Sequence, residues 1–181
     1  MTDNNEIELI RVAHSLELSH ELRTIYEEAF PLEERRDWAQ FTELLNNTNF
    51  FLKAIYHQKK LVGILTIWNL HEFRFIEHFA IQESERGKGF GSKVIQQIIS
   101  ESNFPLILEV DEPSSETTQK RIQFYERFKF SVCKSEYFQP PYSADKNKVK
   151  MLLMSYPVEI NDAYFSQTKA HIHRLVYGII E

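Results

Sequence analysis

The sequence predicts an α/β (α+β) fold: a single domain in which a mixed, mostly antiparallel sheet of about six to seven strands is flanked by helices and followed by a C-terminal helix. Three observations carry that prediction. Apolar residues alternate with period two in some segments and recur at helical spacing in others. Two strand-like segments are separated by a short polar turn, as in an antiparallel hairpin. A glycine-rich turn links a strand-like run to a helix-like run that is itself followed by a strand, which implies a parallel crossover.

The elements follow in order. "IELIRVAH" alternates as an opening strand. Leu22, Ile25, Tyr26 and Ala29 then recur at helical spacing behind Ser19, a capping residue, and Pro31 closes that helix. "RRDWAQFTELLNN" predicts a second, short helix with Trp38, Phe41, Leu44 and Leu45 as its apolar stripe. "NFFLKAIYHQ" and "KLVGILTIWNL" are the hairpin strands, rich in aromatic and β-branched residues. "FRFIEHFAI" is a third strand, with Phe75, Glu77 and Phe79 on one face and Arg74, Ile76, His78 and Ala80 on the other. Val94, Ile95, Ile98 and Ile99 stripe the next helix, and "PLILEV" reads as a strand buried on both faces in a parallel pairing. "SSETTQKRIQFYERF" is helical, "KFSVCKSEYF" and "KVKMLLMSY" are the last strands, and a C-terminal helix starts after Val158. Residues 1–156 form the domain, with 157–181 a helical extension packed on it.

At 181 residues the chain is long enough for one domain with a full core, and 43% hydrophobic residues fit a globular protein. The net charge of −5 argues against a nucleic-acid surface. No run reaches the roughly 18 apolar residues of a membrane span. The start "MTDNNEIELI" has neither a basic opening nor an apolar signal core, so the cytoplasm is the expected address. The single cysteine, Cys133, has no Cys/His pattern around it and reads as a core thiol. His171 and His173, two apart on a helix, diverge, and His71 and His78 point to opposite strand faces, so no metal site is expected.

Three of the five glycines, Gly87, Gly89 and Gly91, fall within five residues in "ERGKGFGS". Glycine gathers where the backbone turns to positive φ or lets a ligand approach, and at a helix start that ligand is an anion. A Walker A loop needs G-x-x-x-x-G-K-[ST], which the order of Ser92 and Lys93 does not supply, and the dinucleotide fingerprint G-x-G-x-x-G is also absent. R-x-x-G-x-G, as Arg86, Gly89 and Gly91, remains. Successive N–H groups, the helix terminus and the charges of Arg86 and Lys88 suit a pyrophosphate held without a metal.

"FIEHFAIQESERGKGFGSKVIQQII" resembles the acetyl-CoA-binding segment of the GNAT N-acetyltransferase superfamily, and "RIQFYERFKF" is similar to that family's following helix with its tyrosine. The resemblance runs from about Ile7 to Tyr156. It implies a GNAT-like sheet with a V-shaped splay on either side of which "FIEHFAI" and "LILEV" stand. It also implies acetyl-CoA as cosubstrate and acetylation of a small-molecule or peptide amine. By the same resemblance the backbone of Phe79, Ala80 and Ile81 binds the pantetheine arm, and Arg86, Gly87, Lys88, Gly89, Phe90, Gly91 and Ser92 hold the pyrophosphate. Tyr125 matches the family's acid.

The chemistry wants a base as well, because a protonated amine cannot attack a thioester. Glu77, a carboxylate inside an apolar strand, is the leading candidate, with a salt bridge or a cleft-edge carboxylate that only attracts the amine as its equal alternative; Glu109 and Asp111 are substitutes, and any of the three could bind the cation. A backbone N–H near Phe79 is the expected oxyanion donor. Two positions depart from the family pattern. Lys129 stands where a glycine is usual, so the tyrosine helix is expected to end differently, and Arg121 replaces a small residue. "QPPY", with Tyr137, Phe138 and Tyr142, is expected to wall the acceptor pocket. The C-terminal helix is open to three readings: cover for a sheet edge, a contact in a homodimer, or closure over the cleft. The rival to an enzyme is a non-catalytic acyl-CoA-binding sensor.

Overall fold

The computed structural model describes residues 6–179. Eight strands and five α-helices are found among these described residues. Hydrogen bonding orders the strands β1-β2-β3-β4-β5-β8-β6, with β7 also paired to β8. By backbone contacts the chain divides into two compact units, Met1–Trp68 with Glu77–Glu101, and Asn69–Ile76 with Ser102–Glu181.

The first unit starts with β1 (Ile7–Val12), antiparallel to β2 (Phe50–His57). Helix α1 (His20–Ala29) begins where the sequence places it, because the Ser19 hydroxyl accepts the Leu22 N–H at 3.1 Å. A 3-10 turn, Leu32–Glu34, connects it to the short α2 (Trp38–Glu43). β2 turns into β3 (Lys60–Asn69) through Gln58 and Lys59, both at positive φ, as the tight turn of a twisted hairpin requires. Rings of Tyr26, Phe41, Phe50 and Trp68 fill this core, Tyr26 and Phe41 with centroids 4.3 Å apart. Gly63 in β3 is needed for close approach, since a Cβ there would lie 2.4 Å from the Ala80 carbonyl. β4 (Arg74–Ile81) contributes its later residues to this unit, and α3 (Phe90–Glu101) buries Val94, Ile95 and Ile98.

In the second unit the first residues of β4 pair in parallel with β5 (Leu106–Asp111), from Arg74↔Leu106 to Ile76↔Leu108, so the expected crossover is present. Helix α4 (Glu116–Glu126) follows, capped by Ser115. It ends without the usual glycine: Lys129 takes φ +65°, and the Phe130 N–H closes on the Tyr125 carbonyl at 3.2 Å. The left-handed turn is thus kept, at the steric cost of a side chain there.

"KFSVCKSEYF" is not one strand. It forms β6 (Ser131–Val132) and β7 (Tyr137–Gln139), both antiparallel to β8 (Val149–Tyr156). The polar run Lys134–Ser135–Glu136 interrupts the alternation between them, which raises the strand count to eight. Helix α5 (Asp162–Leu175) begins on the Asn161 side chain, which accepts from Ala163 and Tyr164. Ile172 and Val176 are buried, and His173 Nε2 lies 3.2 Å from the Phe138 carbonyl.

Candidate functional site

The glycine turn is built to present backbone amides. After a 3-10 turn, Glu83–Glu85, Gly87 and Gly89 take φ of +78° and +83°, and α3 starts at Phe90. Nothing lies within 4 Å of where a Cβ would stand at either glycine, so both backbones face open space. The first N–H groups of the twelve-residue α3 have no partner within the helix by its geometry and carry its positive end.

The cationic side chains of this turn are engaged by the protein. Arg86 Nε donates to the Ile81 carbonyl at 3.0 Å, bracing the turn against β4. Lys60 and Lys88 both donate to Glu85, at 2.6 and 2.7 Å, and these bonds hold the Glu85 carboxyl down at about 2. The anion-binding capacity of the turn therefore lies in backbone amides first.

Phe79, Ala80 and Ile81 close β4 just before the turn. The Ala80 carbonyl presses against Gly63, and the Gln82 N–H bonds the Val62 carbonyl at 2.8 Å, so this end of β4 is fixed to β3.

Glu77 is enclosed. Its side chain has no exposure, Arg36 Nη1 forms an ion pair with Oε1, and Trp68 Nε1 donates to Oε2 at 2.7 Å. Burial alone would raise its proton affinity, but the charge of Arg36 and the neighbouring His78 outweigh that and hold the carboxyl well below the usual carboxylate range. Arg36 is itself buried, its backbone N–H donating to the Tyr26 hydroxyl at 2.9 Å. His78, one residue on from Glu77, lies 3.0 Å from the Glu34 carbonyl through Nε2, and its backbone N–H donates to the Thr66 hydroxyl at 2.9 Å. The arrangement is that of the salt-bridge alternative, and it ties the α1–α2 connection to β4. The sequence gives no sign of Arg36, which sits in an irregular polar segment without period.

In the second unit Tyr125 lies on the buried face of α4, against Phe130. Burial pushes its phenol up to about 12, with the charge of Arg121 opposing. Arg121 forms an ion pair with Asp111, one of the two alternative bases. The other, Glu109, takes hydrogen bonds from Tyr137 and, at 2.7 Å, from Tyr177. Tyr177, beyond α5, is the residue of this cluster that the sequence does not single out. Among the described residues no group of three or more His, Cys, Asp or Glu is arranged to hold a metal ion, and no helix is long and apolar enough to cross a membrane.

A profile of the Acetyltransferase (GNAT) family matches residues 16–130. YjbC of Bacillus subtilis (strain 168), whose name calls it an acetyltransferase, is 30% identical over 155 residues, 81% of this chain and 78% of YjbC. A Bacteroides thetaiotaomicron structure, described as a GNAT-family acetyltransferase, matches with a TM-score of 0.87 at 27% identity, covering 97% of this chain and 99% of that one. Arabidopsis thaliana NAA60 in complex with acetyl-CoA shares the fold, with a TM-score of 0.62 at 17% identity over 83% of this chain and 98% of that one.

Proposed function

Because the chain belongs to the acetyltransferase (GNAT) family, we propose that it transfers an acetyl group from acetyl-CoA to a primary amine by direct attack in a ternary complex. The observation that carries this reading is the turn at 86–92, where two glycines at positive φ open the backbone at the start of α3. The amides from Arg86 to Ser92 bind the pyrophosphate, and the extended backbone of Phe79, Ala80 and Ile81 bonds the pantetheine amides. A backbone N–H near Phe79 supports the carbonyl oxygen as negative charge develops on it.

Tyr125 donates to the departing sulfur. A phenol raised to about 12 keeps its proton throughout the working pH range, while a thiol has a reference value of ~8.5. Stabilising the thiolate by a hydrogen bond therefore fits Tyr125 better than releasing its proton outright; the ammonium loses one proton to water before attack, and the thiolate freed as the C–S bond breaks takes up the proton that the acetylated nitrogen sheds. Glu77, closed by Arg36, anchors the α1–α2 connection against β4. The acceptor is a small-molecule or peptide amine.

The test is acetyl-CoA turnover over a panel of amines, with wild type and Tyr125→Phe compared at matched cofactor saturation. Turnover that falls about 100-fold with little change in acetyl-CoA affinity is expected for a group acting on the leaving sulfur. Wild-type rates in Tyr125→Phe would remove it from the chemistry. Acetyl-CoA binding with no turnover of any amine would favour the non-catalytic sensor.

A further inference from the structure

The glycine turn has little packing of its own to hold it. Gly87, Lys88 and Gly89 are exposed, both glycines stand at positive φ, and nothing lies within 4 Å of where their side chains would point. Glycine loses more backbone freedom on ordering than any other residue. A ligand bound through the amides of such a turn loses affinity to that ordering unless the protein has already imposed it.

Glu85 imposes it from outside the turn. Its N–H bonds the Gln82 carbonyl at 2.9 Å, and the Gln82 N–H is tied to Val62 of β3 at 2.8 Å. Glu85 is only 6% exposed, and its carboxylate takes one ammonium on each oxygen. Lys60, the first residue of β3, donates to Oε1 at 2.6 Å, and Lys88, between the two glycines, donates to Oε2 at 2.7 Å. Both bonds are short and charge-assisted. The middle residue of the turn is thereby fastened, through a buried carboxylate, to a sheet strand whose lysine lies 25 residues from Glu85. All of these groups belong to the first compact unit.

The Lys60 and Lys88 side chains are more than half exposed, and ion pairs with so much solvent around them add little to the stability of a whole domain. What they restrict is the turn.

We propose that Lys60 and Glu85 are positioning residues for the cosubstrate site: acting through Lys88, they hold the glycine turn with its amides already arranged for the pyrophosphate. This rests on the acetyl-transfer reading above. Neither residue has to touch the cosubstrate, because the affinity comes from order imposed before binding. The sign of the effect is diagnostic. A carboxylate that merely stood beside an anion site would repel the anion, and its removal would tighten binding; removal of a tether weakens it.

The experiment is isothermal titration of acetyl-CoA into the full wild-type chain and into Glu85→Gln, Lys60→Met, Lys60→Arg and Lys59→Met, each shown by circular dichroism to be folded. Glu85→Gln, which breaks both pairs, should bind about tenfold more weakly, and Lys60→Met, which breaks one, about fivefold. Lys60→Arg keeps a cation for the same carboxylate and should bind within about twofold of wild type. So should Lys59→Met, which removes an equal charge one residue away, in the hairpin turn. In the free chain, NMR order parameters of the Gly87 and Gly89 amides should fall in Lys60→Met and recover in Lys60→Arg.

Unchanged affinity in either Glu85→Gln or Lys60→Met would overturn the proposal, and so would tighter binding by Glu85→Gln. Equal losses in Lys59→Met and Lys60→Met would reduce the effect to net charge and overturn it as well, as would a Lys60→Arg chain that binds no better than Lys60→Met. If the wild-type chain binds no acetyl-CoA, it is the acetyl-transfer reading that falls, and this proposal with it.

Discussion

Glu77 in β4 and Glu109 in β5 are the same residue type in the same kind of apolar strand, yet the protein surrounds them with opposite chemistry. The Glu77 side chain is wholly buried against a guanidinium and an indole N–H. Glu109 takes bonds from two phenols. A guanidinium neutralises the carboxylate and suppresses its basicity, whereas phenols order a carboxylate by donating hydrogen bonds to it. An acid in an apolar strand marks a position that needs a partner, and the two strands meet that need with different chemistry.

The largest effect should come from breaking the first of these pairs. Arg36→Met strands a buried carboxylate and should cost about 3–5 kcal/mol, read by chemical denaturation. Arg36→Met combined with Glu77→Met should recover most of that loss, because an apolar pair of similar volume replaces the ions. A double variant no more stable than the single one would show that Glu77 depends on something other than the ion pair.

A pH series sharpens the contrast next. The folded carboxyl of Glu77 sits below the unfolded reference of ~4.3, so its contribution is complete above that pH and is lost as pH falls through the lower folded value. Wild type should therefore lose stability below about pH 4, and Glu77→Gln should show a shallower acid limb. The same variant should leave the acid limb of the rate profile, which reports the essential base, in place over the pH range where both proteins are folded. A displaced acid limb there would return Glu77 to the role of general base.

The smallest effect belongs to the second carboxylate. Tyr137→Phe removes one phenol bond from Glu109 and should cost about 1–2 kcal/mol, measured as a shift of the denaturation midpoint at constant slope. A loss as large as that of Arg36→Met would erase the distinction between the two sites.

Much of this was legible from local pattern. The hairpin, the Ser19 cap, the glycine turn and the parallel β4–β5 crossover each depend on residues close in sequence, with a period or a turn to betray them. The split of "KFSVCKSEYF" was not, because alternation across ten residues looks continuous until three polar ones are weighed against a partner strand. Nor were the partners of the two acids. Arg36 lies 41 residues from Glu77 and Tyr177 lies 68 from Glu109, and both are set by tertiary packing that no period records. Lys129 shows the reverse: the sequence predicted a changed helix end, and packing kept the left-handed turn regardless.

Everything proposed for catalysis depends on the turn holding the cosubstrate by its backbone. Gly89 is at φ +83° with open space where a side chain would point, so Gly89→Glu places bulk, strain and negative charge where the pyrophosphate would bind. Isothermal titration of acetyl-CoA into the wild-type chain and into Gly89→Glu, with circular dichroism confirming that both are folded, tests this directly. Binding by the wild type and none by the variant is the predicted result, and equal affinity in the two would contradict it.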